Sequence, residues 1–213
     1  MKDLLIQIKN ERGKPDRSYK YNDVSELLKA ISGNFSAIPE LAGIYELSTG
    51  NFIHETTVDQ HTKHVVDNIQ MTQYYKQAIQ EDKDILLLAA YLHDIGKGPS
   101  TKWKDKIQYT YPDHPYDAIP GLHRILTEEI AKISDENIRR VCLLVVYHDI
   151  VGDCLFLGRE RQQIVDVIED EKDIDMLIAL GLADVKSLNS TWYSQMYFCK
   201  AGFKKDIMTK KGL

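Results

Sequence analysis

Residues 85–100 read ILLLAAYLHDIGKGPS, an unbroken apolar run that ends on His93 and Asp94. A run of this kind belongs in the interior, and whatever is joined to its end is drawn in with it. An imidazole and a carboxylate taken out of water are costly unless each finds a partner or a metal ion. The remainder of the chain therefore has to supply a counterpart, and the fold has to deliver it to the end of that run.

Three other segments carry polar residues where apolar ones are expected. Val58, His61, Val65 and Ile69 follow the three-, four- and four-residue spacing of a helix face turned to a core, and His61 lies within it. Val141, Val145 and His148 are spaced by four and three, while Leu177, Leu180, Asp184 and Leu188 share a face. In the run itself, His93 follows Ala89 by four and Ala90 by three. A single histidine on such a face is ordinarily a core residue bonded to a carbonyl, and Asp184 alone reads as a buried salt-bridge carboxylate. Recurrence on four helices favours a shared cation, at which these donors offset one another's desolvation. Imidazole with carboxylate suits divalent Mn, Fe, Ni, Co or Zn, with Mg as a further option. No thiolate joins the set, which argues against a structural zinc site.

The chain has 213 residues, enough for one domain with a sizeable core. Its formal net charge of −5 excludes a general electrostatic attraction for nucleic acid, although local basic patches stay open. Cys142, Cys154 and Cys199 are too few and too scattered for a disulfide framework. The N-terminal stretch MKDLLIQIKNERGK has too short an apolar segment for a secretory signal. The run 85–92 is far shorter than a membrane span. The expectation is a reducing, cytoplasmic setting without a membrane partner.

The pattern predicts an all-α domain. Leu4, Ile6 and Ile8 alternate, as do Tyr19 and Tyr21, with Gly13 and Pro15 between, so residues 1–34 read either as a small β-hairpin or a plain loop, followed by a helix capped at Asn22 or Asp23. Further helices are expected at 39–43, 57–79, 84–96, 117–132, 135–149, 160–169 and 173–189, with a loop at 97–116. Ser134, with Asp135 and Glu136 behind it, is a sound helix start. Residues 191–213 read as a basic, weakly patterned tail.

The order His61, His93-Asp94, Asp184 resembles the HD-domain superfamily of metal-dependent phosphohydrolases, with LHDIGK (92–97) close to its central motif and LADVKSLN (182–189) like its final aspartate helix. The likeness extends to the HD domains attached to bacterial CCA-adding enzymes. Pro39-Glu40-Leu41, His54 and His61-Thr62 stand in the order of that group, YPDHPYDAIPG (111–121) is similar to its aromatic-x-x-His segment, and SDENIRRVCLLVVYHD (134–149) to the helix that carries its next histidine. The resemblance covers about residues 35–190 and implies an HD-domain helical bundle. No nucleotidyltransferase motif stands ahead of it, so the likeness is to a free-standing HD domain.

Carried over position by position, the resemblance implies two metal ions. His61, His93, Asp94 and Asp184 would hold the first, and Asp94, His114 and His148 the second. His123 rivals His114, because Ala118 and Ile119 stand where the family has Gly-Ala. His64 reads as an ordinary helix-face residue, and His54 as one that caps or orients the site. Asp94 and Asp184 would orient or deprotonate the attacking water, and Lys97 would reach a phosphate or merely complement its helix end. The implied substrate is a nucleotide or other small phosphorylated molecule, or a phosphate at an RNA end. Two alternatives are an HD-fold mixed-valence diiron oxygenase and a metal-occupied but inactive binding module. Lys102, Lys104 and Lys106 among Trp103, Tyr109 and Tyr111 read as a base-stacking loop or as a solvated lid. The tail lysines (Lys200, Lys204, Lys205, Lys210, Lys211) would touch RNA or simply keep that end soluble. Oligomeric state is not legible.

Overall fold

A computed structural model describes residues 1–50 and 56–213, so His54 lies outside the described residues. The helices are α1 (Lys2–Arg12), α2 (Val24–Gly33), α3 (Pro39–Ile44), α4 (Val58–Met71), α5 (Gln73–Gln77), α6 (Gln80–Leu92), α7 (His114–Asp117), α8 (Ile119–Arg124), α9 (Asp135–Val146), α10 (Ile150–Gly152), α11 (Gln162–Val167), α12 (Glu171–Leu188) and α13 (Ser190–Lys211). The all-α expectation holds. At the centre α4 packs on α12 and α6, and α9 packs on α6 and α12. The apolar run explains this position, since Leu86, Leu88, Ala89, Ala90 and Leu92 are fully buried. Sequence-local caps set the helix starts: Asp23 accepts from the Glu26 amide at 2.9 Å, Ser134 from Asn137 at 3.2 Å and Asp170 from Asp173 at 2.9 Å.

Several segments depart from the sequence reading, among them the helix expected at 57–79, which breaks at Thr72 into α4 and α5. Residues 3–9 form helix α1, not a hairpin strand. Leu4 and Ile8 are one helical turn apart and both buried, whereas Ile6 is 58% exposed. Asp3 in the first turn and Lys9 and Arg12 in the last complement the helix dipole. Strand β1 (Tyr21–Asp23) does form, but it pairs in parallel with β4 (Ile130–Lys132), while β2 (Ser48–Thr49) pairs in parallel with β3 (Ile107–Gln108). The expected helix 117–132 therefore breaks into α7, α8, a π-helical turn (Ile125–Glu129) and β4. Arg12 fastens that turn by donating to the Leu126, Ile130 and Ala131 carbonyls at 2.5, 2.7 and 2.6 Å. The C-terminal segment is helix α13, which buries Met196, Phe203 and Ile207 and packs on α12 and α11.

A buried ion cluster ties α9 to the start of α12. Asp173 is fully buried and accepts from Arg139 at 2.7 and 2.8 Å, Arg140 at 3.2 Å and the Glu169 amide at 2.7 Å. Burial by itself would raise this carboxyl, but the guanidinium and the hydrogen bonds outweigh it and hold it below its ordinary value. Asp173→Ala is expected to cost about 3–5 kcal/mol at neutral pH, because it leaves guanidinium charge buried and unpaired. A group with a depressed folded pKa contributes in full above its unfolded value, about 3.9 for aspartate, and loses that contribution as pH falls through the lower folded value. Denaturant titrations of both proteins should show a constant gap above that value and a narrowing one below it.

Candidate metal centre

Five helices meet at one point. His61 lies in the first turns of α4, His93 and Asp94 follow the end of α6, His114 opens α7, and His148 and Asp149 follow the end of α9; Asp184 comes from the last turns of α12. His61, His93, Asp94, His114, His148 and Asp184 are all at least nine-tenths buried. The ligand atoms of His61, His93 and Asp94 lie within 4.8 Å of one another, and so do those of Asp94, His114 and His148. Asp94 belongs to both groups. Its Oδ2 is 3.7 Å from His61 Nε2 and 3.4 Å from His93 Nε2, whereas its Oδ1 is 3.2 Å from His114 Nε2 and 4.0 Å from His148 Nε2. Asp184 Oδ1 closes the first group at 2.9 Å from His61 Nε2. The two histidine pairs stand Nε2 to Nε2 at 3.3 Å (His61, His93) and 3.1 Å (His114, His148).

The family model for the HD domain matches residues 58–168 of this chain. The chain belongs to the HD-domain family. A bifunctional uridylyltransferase/uridylyl-removing enzyme from Ruegeria pomeroyi (strain ATCC 700808 / DSM 15171 / DSS-3) is 24% identical over 89% of this chain, which spans only 20% of that relative's length. No solved structure matches. The family match is to HD domains in general and singles out no subgroup. It ends before Asp184, so the convergence of that residue with the others is read from the geometry.

The protonation pattern of this HD domain fits cations. Each histidine has its Nδ1 beside an acceptor: the Ala90 carbonyl for His93 (2.7 Å), Tyr111 for His114 (2.6 Å) and Val145 for His148 (2.8 Å). His61 Nδ1 meets Ser187 Oγ at 2.8 Å, and that hydroxyl spends its own proton on the Asp184 carbonyl at 2.7 Å. These partners place the proton of a neutral ring on Nδ1 and leave the Nε2 lone pair facing inward. Four lone pairs then face one another and two carboxylates across hydrogen-bonding distances. Only positive charge makes that arrangement favourable, and divalent ions bound by imidazole and carboxylate match the donor set.

Electrostatics points the same way. Among the described residues, Asp94, Asp149, Asp153 and Asp184 line a pocket of about 220 Å³, against the one ammonium of Lys97. Lys97 Nζ sits 2.7 Å from Asp94 Oδ2. Burial lowers His93, but Asp94 and Asp184 outweigh it and lift the ring to about 9, so the surplus negative charge draws a proton onto Nε2 unless a metal ion takes that position. Burial likewise tends to raise Asp94 and Asp184. Lys97 and His93 hold Asp94 far below the usual carboxylate range, and His61 does the same for Asp184. His148 moves the other way, lowered chiefly by burial.

The other sequence candidates are placed as follows. His123 is half-buried on α8 and joins neither cluster, whereas His114 does. His64 is exposed on α4. In the loop after α6, Trp103 donates to the Lys97 carbonyl at 2.6 Å and meets Tyr111 edge-on at 5.5 Å, while Lys102 lies 4.1 Å above the Tyr111 ring and pairs with Asp117. These contacts hold Tyr111, which lines the pocket with Gln108 and Thr110. Sequence reasoning missed Asp149, Gln108 and Ser187. A signal existed for Asp149, because YHD at 147–149 repeats the LHD of 92–94 at the end of a second apolar run.

Proposed function

We propose that this chain is a metal-dependent phosphohydrolase, a phosphomonoesterase or phosphodiesterase acting on a nucleotide or an RNA-end phosphate with two divalent ions. The observation that carries the reading is Asp94, whose two oxygens each face a separate histidine pair with inward Nε2 lone pairs. His61, His93, Asp94 and Asp184 would hold one ion and Asp94, His114 and His148 the other, with residues 35–190 as the catalytic unit. Bound there, the ions would acidify water and neutralise charge that builds on the phosphoryl oxygens. Asp94 and Asp184 orient the attacking water and accept its proton at Oδ. Lys97, at the pocket wall, offers an ammonium to a phosphate oxygen. Tyr111, on the pocket lining, would contact the group attached to the phosphate. The choice of substrate is supported by a relative whose name records uridylyl removal, which points to nucleotidyl esters.

The test is elemental analysis of the purified protein, followed by phosphomonoester and phosphodiester panels with Mn, Ni, Co and Mg. The expected result is two ions per chain after loading and metal-dependent release of phosphate or alcohol, abolished by a chelator. Less than one ion per chain overturns the reading. Iron-dependent oxygen consumption without hydrolysis replaces it with the diiron oxygenase.

A further inference from the structure

The two His-Asp pairs are built alike. Each follows the C-terminal end of a buried helix, and each histidine is anchored through Nδ1 to the carbonyl three residues back, Ala90 for His93 and Val145 for His148. Asp94 is already central to the site. Asp149 holds the corresponding place after α9, and its side chain is 36% exposed, so water is open to it. Both its oxygens nevertheless face the second histidine pair, Oδ1 at 3.3 Å from His148 Nε2 and Oδ2 at 3.8 Å from His114 Nε2. Those two nitrogens carry lone pairs, because their rings give the Nδ1 proton to backbone carbonyls, so neither donates to Asp149. Helix capping does not explain the pose, since Asp149 precedes α10 without a side-chain capping bond. Its neighbour Asp153 is engaged by Arg159 at 3.0 Å, which leaves Asp149 the carboxylate directed at this pair from the open side of the pocket.

We propose that Asp149 is a further metal ligand, supplying a second carboxylate to the ion held by His114, His148 and Asp94. The inference rests on the two-ion reading above. It makes the second ion's donor set two imidazoles and two carboxylates, matching the two imidazoles and two carboxylates of the first.

The test compares the wild-type protein with Asp149→Asn and Asp149→Glu after chelation. Each is titrated with Co(II) and followed by calorimetry and visible absorption, with stoichiometry checked by elemental analysis. Wild type should take up two equivalents. Asp149→Asn should keep the first at unchanged affinity and bind the second at least ~10-fold more weakly with an altered spectrum, and glutamate should recover part of the loss. The retained first equivalent reports that the variant is folded. Two equivalents in wild type and an indistinguishable Asp149→Asn overturn the ligand assignment alone. A single equivalent in wild type, bound at the His61–His93 pair, overturns the two-ion reading and this assignment together.

Discussion

Asp94→Ala is expected to lose uptake of both ions and to lower hydrolysis by ~10³-fold or more, because one carboxylate serves both histidine pairs and the attacking water. Among the described residues no other single substitution removes a donor from each group, so the stoichiometry should fall from two to none rather than from two to one. The metal-free protein should weaken as well. Asp94 is 1% exposed and its Oδ2 is 2.7 Å from Lys97 Nζ, so its removal strands a largely buried ammonium. Breaking a buried pair from one side costs about 3–5 kcal/mol, and the lower end applies because Lys97 reaches the water of the pocket. Elemental analysis, phosphate release and denaturant titration in chelator measure the three effects separately. A variant that still carries both ions would show that Asp94 does not bridge them. A protein whose ligand binding survives while no hydrolysis is found in wild type would be a binding module.

Gly96→Ala should act on the second ion through backbone alone. A Cβ at position 96 would lie 1.9 Å from the His114 carbonyl oxygen, 2.7 Å from the Ala118 nitrogen and 2.9 Å from the His114 carbonyl carbon. None of these atoms belongs to a flexible side chain that could swing aside. They form the backbone of α7, whose Ala118 amide donates to the His114 carbonyl at 3.1 Å. A methyl group therefore pushes α7 off the turn that follows Asp94 and takes His114 with it. Overpacking of this kind costs about 3 kcal/mol or more, roughly 6–12 °C in Tm for a chain of this size. The expected signature is a lower Tm with one ion retained at the His61–His93 pair and the second lost. Two ions at an unchanged Tm would show that α7 is free to slide without consequence.

The His-Asp pair was legible because burial and charge conflict openly there. Eight apolar residues leading into His93 and Asp94 admit few explanations. His61, His148 and Asp184 were legible as interruptions of regular stripes. His114 was not, because it opens a four-residue helix with no apolar period to interrupt, and it entered only through family likeness. Asp149 was legible only by analogy, through the repeat of LHD (92–94) as YHD (147–149), because it interrupts no apolar stripe of its own. Ser187 acts through the tautomer of His61 across 126 residues, a relation that no local pattern carries. In the fold, Leu4, Ile6 and Ile8 satisfy both a strand period and, by dropping Ile6, a helical one. Tertiary packing chose the helix. The parallel pairing of Tyr21–Asp23 with Ile130–Lys132 joins segments more than a hundred residues apart, and parallel pairs lack the turn chemistry that announces a hairpin.

The separation of the converging residues also orders events during synthesis. His61 and His93 close a span of 32 residues, but Ser187 and Asp184 complete the centre only from α12. While the ribosome is still making α9, an emerging chain holds the whole first histidine pair but only His114 of the second, and lacks the Asp184 that closes the first group. Contacts this distant carry a loop-closure penalty that is repaid late, which slows folding and would place ion capture, under the two-ion reading, after the last long helix of the core has docked.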